Sequence, residues 1–312
     1  MNPLEIRSAY LGSKEFMEPL KAEIKDIIDI REELILSSAQ PVNASWALNI
    51  WETPIILEIE SINDGANKLK TIQRNWCLYS YHLHRRAKLI QAKLPYVSAK
   101  PLKFPCLLPP SSIGSWTLVT QNQILASPQC SSYFKNGEAL FEEDKKGPPS
   151  RAYLKVYEAL TRLGKFPQPG EFCIDAGGSP GGWAWAIQKL GAKVLSVDRS
   201  LLDSKILSLP NLEYQKGDAF ALKPSDFDQV DWLFSDLICY PEKLFKWISP
   251  WANSKKCKNI ITTIKFQGKP DYRITKKFLD IEGSQVIHLY NNKHELTWMY
   301  TSLSLNKKSN NQ

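Results

Sequence analysis

No stretch of eighteen consecutive apolar residues occurs in this 312-residue chain, so no helical membrane span is expected. Residues 1–16 also lack the apolar centre of a secretory leader. They alternate apolar and charged groups, as a cytosolic protein would. There is no Cys-x-x-Cys: Cys77, Cys106, Cys130, Cys173, Cys239 and Cys257 are scattered, which speaks for reduced thiols and against a zinc ribbon. Histidine is scarce, and the one close pair, His82 and His84, has no cysteine or acid nearby to complete a ligand shell. No metal site is expected.

Acids are missing from one long stretch. Residues 1–64 hold twelve Asp and Glu against five Lys and Arg, yet from Gly65 to Gly137 there is not one acid in 73 residues. Over the same span Lys68, Lys70, Arg74, Arg85, Arg86, Lys88, Lys93, Lys100, Lys103 and Lys135 carry ten positive charges, interleaved with Trp76, Tyr79, Tyr81, Tyr96 and Phe104. Cations that neutralise phosphates and rings that stack on bases are what RNA binding requires. The plainer reading is an ordinary solvated face.

What is present is concentrated in the second half. Residues 173–183 read Cys-Ile-Asp-Ala-Gly-Gly-Ser-Pro-Gly-Gly-Trp, an apolar strand ending in Asp175, a glycine-rich turn, and the start of a helix. Gly177, Gly178, Gly181 and Gly182, with Ser179 and Pro180 among them and Trp183 behind, let backbone approach a ligand closely. The spacing is not Gly-x-Gly-x-x-Gly, so a cofactor without phosphate, S-adenosylmethionine, fits better than a dinucleotide. Residues 192–198 form a strand ending in Asp198, about twenty residues further on, where a carboxylate suits ribose hydroxyls. A weaker strand leads to Asp218, placed to accept from an adenine amino group. Either aspartate alone could equally be a cap or turn residue.

Three more strands follow. Val230–Asp236 ends in an acid, Asn259–Phe266 is β-branched and carries Lys265 near its end, and Gln285–Tyr290 turns through residues 291–294 into an alternating strand from Glu295. A strand that doubles back starts at the carboxyl edge of the sheet, so Glu295 should share a rim with Asp236 and Lys265, where open α/β sheets bind ligands. Upstream, an amphipathic helix capped by Ser150 and stopped near Gly164 carries Lys155.

The glycine turn resembles motif I of the FtsJ-like ribose 2′-O-methyltransferases, and Lys155, Asp236, Lys265 and Glu295 resemble that family's Lys-Asp-Lys-Glu tetrad. The Pro-Ser-Arg-x-x-x-Lys start, the Ser-Val-Asp and the Ile-Lys segment look most like the branch that methylates a cytidine ribose in large-subunit ribosomal RNA. The likeness covers roughly residues 115–304. It implies an α/β class I methyltransferase fold, a mostly parallel seven-stranded sheet with an antiparallel last strand. It implies S-adenosylmethionine bound through Asp175, the turn, Asp198, Asp218 and Asp236, and Lys265 as the base, oriented by Asp236, with Lys155 and Glu295 positioning the ribose. A lysine, ordinarily near pKa 10.4, acts as a base only where burial or a nearby cation lowers that value, and adjacent acids pull the other way.

Residues 1–99 read as a small α+β module for RNA, with a helix over Lys14–Arg31, another within Ile55–Arg74, and short strands near 34–36, 46–51 and 76–81. No RNA-binding motif typical of that branch is recognised there. Residues 100–148 read as an extended linker with accessory strands, 149–305 as the methyltransferase domain, and 306–312 as a disordered tail. The partner expected is RNA, ribosomal RNA or its precursor; a monomer and a cytoplasmic location are expected. Two other readings stay open: methylation of a small molecule or a protein, and a non-catalytic RNA-binding protein on the same fold.

Overall fold

The computed structural model describes residues 6–98, 100–109, 111–268 and 270–302; the tail read at 306–312 lies outside them. Two compact units are distinct: residues 1–103 with 107–140, and residues 104–106 with 141–312.

The N-terminal unit begins with β1 (Ser8–Leu11), α1 (Met17–Glu23), β2 (Ile27–Arg31), β3 (Leu34–Ser37) and β4 (Asn49–Trp51). These strands form one antiparallel sheet, in the order β2-β3-β1-β4. The helix expected over Lys14–Arg31 therefore stops at Glu23, and Ile27–Arg31 is a strand. Apolar residues at 24, 27 and 28 suit a helical stripe, but the β-branched run Ile27, Ile28 and Ile30 fits a pleated edge equally well, and pairing with β3 decides.

A second sheet follows from β5 (Ile55–Glu58), α2 (Ile62–Ile72), β6 (Trp76–Leu78), α3 (His84–Gln91), β7 (Gly114–Thr120) and β8 (Gln123–Ser127), in the strand order β5-β8-β7-β6. Leu69, Ile90, Trp76, Trp116 and Ile124 form the core of this layer. Ser61 caps α2 by accepting from Asp64 N (3.1 Å). His82 stacks on Tyr81, and His84 Nδ1 is hydrogen-bonded to Ser80 Oγ (2.8 Å).

The C-terminal unit is a twisted sheet between helices. Its elements are α4 (Tyr153–Leu163), β9 (Phe172–Ala176), α5 (Gly182–Gln188), β10 (Lys193–Asp198), α6 (Ser204–Leu207), β11 (Leu212–Lys216), β12 (Val230–Ser235), α7 (Pro241–Asn253), β13 (Cys257–Lys265), α8 (Thr275–Leu279), β14 (Ser284–Ile287) and β15 (Glu295–Thr301). Seven strands run in the order β11-β10-β9-β12-β13-β15-β14. β9 to β13 pair in parallel, and β15 lies antiparallel to both β13 and β14. This is the mostly parallel α/β sheet with an antiparallel last strand that the sequence leads one to expect. α4 starts at Tyr153 rather than at a Ser150 cap: Ser150 Oγ accepts only from Ala152 N, at 3.4 Å, and Gly164 ends the helix at φ 63°.

Among the described residues no helix is long and apolar enough to cross a membrane. All six cysteines are unpaired, and all but Cys106 are buried.

Candidate active site

Three of the four side chains of the site are delivered by the ends of strands, and the fourth by a helix. In the β13–β15 ladder Lys265 stands directly opposite Glu295, so the last residue of one strand and the first of the other bring opposite charges together. Asp236 follows β12 immediately, and the parallel register of Ser235 with Thr262 carries it to the same rim. Lys155, on the first turn of α4, comes in from above that rim.

The four side chains meet. Lys155 Nζ lies 3.0 Å from Asp236 Oδ2 and 2.7 Å from Glu295 Oε1. Lys265 Nζ lies 2.9 Å from Asp236 Oδ1 and 3.9 Å from Glu295 Oε2, and donates to the Asp236 carbonyl at 2.8 Å. Their side chains keep only 8 to 19% of their exposure. A fifth member went unnoticed in the sequence: Thr263 Oγ1 donates to Asp236 Oδ1 at 2.6 Å. Its signal was available, because Thr263 sits two residues before Lys265 and so shares its face of β13.

Burial acts on these groups in one direction and their partners in the other. At Lys155 burial alone would lower the pKa, but Asp236 and Glu295 outweigh it and hold the ammonium above its ordinary value. Burial would raise the Asp236 carboxyl, yet Lys155, Lys265 and the Thr263 hydroxyl hold it below the usual range. Lys155 is therefore a fixed cation, and Asp236 a fixed anion that both lysines share.

The glycine turn lies on the same rim, between β9 and α5. Gly177 has φ 80°, and a Cβ there would come within 2.3 Å of Leu237. Gly178 is closed in: a Cβ would strike Ser196 Oγ at 2.2 Å and Asp175 Oδ2 at 2.5 Å. Gly181 (φ 111°) packs on Ile206, Gly182 opens α5, and Trp183 Nε1 donates to Ala152 O (3.0 Å), joining the turn to the chain entering α4. Ser179 Oγ donates to Leu201 O, and the Ser179–Pro180 peptide is cis. Asp175 is fully buried. Burial first, then the negative charges of Asp236 and Asp198, push its carboxyl up to about 7 against a hydrogen bond from Ala184 N.

Beside the turn is a pocket of about 200 Å³, lined by Gly177, Asp198, Arg199, Gly217, Asp218, Ala219, Phe220, Leu237, Ile238 and Lys243. Asp198 reaches it with each carboxylate oxygen accepting one backbone N–H, from Ser179 (3.0 Å) and Ser200 (2.8 Å), which leaves further lone pairs for hydroxyl donors. Asp218 is more occupied: Oδ1 accepts from Phe220 N, and Oδ2 pairs with Arg199, both interactions lowering its pKa. Of the residues singled out in the sequence, Gly177, Asp198 and Asp218 line the pocket, whereas Asp175 and Gly178 stand behind Gly177 and Gly182 faces Ser150. Phe220, Leu237 and Ile238, its apolar walls, were not foreseen.

A nucleoside-bearing cofactor fits these residues. Asp175 Oδ2 and Ser196 Oγ, both buried, have no hydrogen-bond partner among the described residues and flank Gly178, the position where no side chain can intrude.

The FtsJ-like methyltransferase family model matches residues 148–301. "Ribosomal RNA large subunit methyltransferase M" of Halorhodospira halophila is 29% identical over 160 residues, covering 49% of this chain and 47% of its own length. The proteins of that name from Xanthomonas euvesicatoria and Pasteurella multocida are 29% and 30% identical, each over 48% of this chain and 46% of their own. The chain thus spans about half the length of the curated relatives it matches. Among solved structures, magnesium protoporphyrin IX methyltransferase from Synechocystis, with bound S-adenosylmethionine, covers 48% of this chain and 79% of its own at 17% identity and a TM-score of 0.36. By the match over residues 148–301, the C-terminal unit of this chain belongs to the FtsJ-like methyltransferases.

Proposed function

We propose that this protein transfers a methyl group from S-adenosylmethionine to a ribose 2′-hydroxyl of structured RNA, with large-subunit ribosomal RNA as the substrate class. The observation that carries the reading is the buried cluster of Lys155, Asp236, Lys265 and Glu295 on the rim that also holds the cofactor pocket. When bound, S-adenosylmethionine supplies a sulfonium-activated methyl group. Asp198 would hold its ribose hydroxyls, Asp218 or its neighbouring backbone its adenine, and the Gly177–Gly178 backbone its amino-acid end, with Phe220 and Ile238 against the base.

A ribose hydroxyl is a poor acid, so a base must take its proton as the oxygen attacks. Lys155, held protonated by two carboxylates, is suited to stabilising the developing alkoxide rather than to accepting that proton. Lys265 is the base in this reading: Asp236 orients its Nζ through both carboxylate and carbonyl, and Nζ, once it has given up its own proton, takes the proton of the 2′-hydroxyl as that oxygen forms its bond to the methyl carbon and the carbon–sulfur bond of the cofactor breaks. Glu295 aligns both lysines. The six unpaired cysteines agree with a reducing, cytoplasmic setting. The acid-free residues 65–137, all but 104–106 of them in the N-terminal unit, supply the cations for holding RNA in this reading.

The test is to incubate the protein and labelled S-adenosylmethionine with total RNA from a deletion strain, then digest and identify the nucleosides. Label in one 2′-O-methylnucleoside is expected, 2′-O-methylcytidine if the branch resemblance holds; label in a base-methylated product would overturn the tetrad roles. Lys265→Ala should lower kcat by about 10² to 10⁴-fold with S-adenosylmethionine affinity unchanged. Unchanged turnover would remove Lys265 from its role.

A further inference from the structure

The sheet order divides the rim into halves. Most cofactor-pocket residues sit at the ends of β9, β10 and β11, with Leu237 and Ile238 after β12 closing the pocket, and the four charged residues meet on the other side, where Asp236, Lys265 and Glu295 end or begin β12, β13 and β15. A nucleotide whose 2′-oxygen reaches Lys265 must therefore extend towards the remaining flank, over β13 and β15. An aromatic group occupies that flank. Phe266 and His294 directly follow and precede the Lys265–Glu295 pair and continue its ladder, Phe266 N donating to His294 O at 3.2 Å. Tyr272 packs on Phe266 with ring centroids 4.9 Å apart, and His294 lies 6.0 Å from both. Tyr272 Oη and His294 Nε2 are joined by a hydrogen bond of 2.8 Å.

Exposure grades outwards across this group. Phe266 is buried and forms its floor, Tyr272 is half-buried, and His294 is exposed. Exposed cations lie close to it in sequence, Lys293 before His294 and Lys276 and Lys277 after Tyr272, while Asp271 is taken up by Arg273. These two joined rings, inclined 59° to each other on a floor that adjoins Lys265, offer faces on which an unpaired nucleobase can stack, with exposed lysines available to its phosphates.

Resting on the ribose-methylation reading, we propose that the Tyr272–His294 pair is a stacking platform for the base of the target nucleotide, and so positions the ribose without taking part in proton transfer. Unpaired rather than duplex RNA is then the form engaged at this rim.

The variants to compare are Tyr272→Ala, His294→Ala and Tyr272→Phe, assayed with in-vitro-transcribed large-subunit ribosomal RNA and with S-adenosylmethionine binding measured separately. The two alanine variants should raise KM for RNA about tenfold with cofactor affinity unchanged, and Tyr272→Phe, which keeps the ring, should stay within about threefold of the parent. Cofactor affinity also reports whether each variant is folded. KM for RNA unchanged in both alanine variants, or a loss confined to kcat, overturns the platform. If the parent protein puts no methyl group on ribose, the underlying reading falls and the platform with it; a parent that methylates RNA alongside unaffected variants removes the platform alone.

Discussion

Lys155 donates to two carboxylates from one ammonium, and Asp236 accepts from two lysines and a threonine. Such a cluster is close to neutral in total, so each charge is held by its neighbours rather than by water, and removing one leaves the others unpaired in a buried place. Glu23 in the N-terminal unit shows the opposite case. Burial dominates over its hydrogen bonds from the Trp46 and Ser45 backbone and pushes its carboxyl from 4.5 to about 7. Because the folded value lies above the unfolded one, the folded state is favoured most below pH 4.5, and that contribution is lost as pH rises through about 7. Glu23→Gln keeps an acceptor for Trp46 N and cannot ionise. It should stabilise the protein by roughly 1–3 kcal/mol at pH 8 and by little at pH 4.5. Melting curves of parent and variant that stay parallel from pH 4.5 to 8 would contradict this.

At the scale of elements, α4 is held to the sheet by an interaction the sequence does not advertise. Glu158, fully buried one turn after Lys155, accepts from Arg162 Nη2 (2.8 Å) and Nε (2.9 Å) with one oxygen and from Tyr290 N (2.9 Å) with the other. Tyr290 lies in the turn that leads into Glu295, so this one carboxylate sets the helix bearing Lys155 against the strand bearing Glu295. Glu158→Gln, which leaves Arg162 without its counter-charge, should cost roughly 3–5 kcal/mol of stability and lower turnover while sparing cofactor affinity. A variant as stable and active as the parent would show the link to be idle.

The same scale shows what could be read beforehand. Strands 173–176, 193–198 and 230–235 were legible because each is a short apolar run ended by glycine or an acid, and the alternation from Glu295 located β15. Lys155 could be placed only through the resemblance, since an amphipathic helix does not say which strand it will meet. Ile27–Arg31 suits a helix on sequence alone because its apolar spacing satisfies two periods, and β7 and β8 are legible only as accessory strands. Their partners, β5 and β6, lie more than thirty residues upstream, and local pattern carries no information about such pairings.

Across the molecule, charge is unevenly spread within the N-terminal unit: a net of −7 over residues 1–64 is followed by +10 over residues 65–137. Arg85 and Lys88 are exposed on α3 within the acid-free span. If they touch phosphates, Arg85→Ala/Lys88→Ala should flatten the plot of log affinity for RNA against log salt by about 1.4, at ~0.7 per phosphate lost, without altering cofactor binding. A slope equal to the parent's would make α3 an ordinary solvated helix.

The placement of β15 bears on when activity can arise. β15 enters between β13 and β14, and it brings Glu295, the partner of both lysines. During translation Lys155, Asp236 and Lys265 all leave the ribosome before it, as does β14, whose only strand partner among the described residues is β15. A nascent chain can hold the cofactor turn yet cannot close the charged cluster until its seventh strand slides home. On the proposed function, methyl transfer has to wait until β15 has been made.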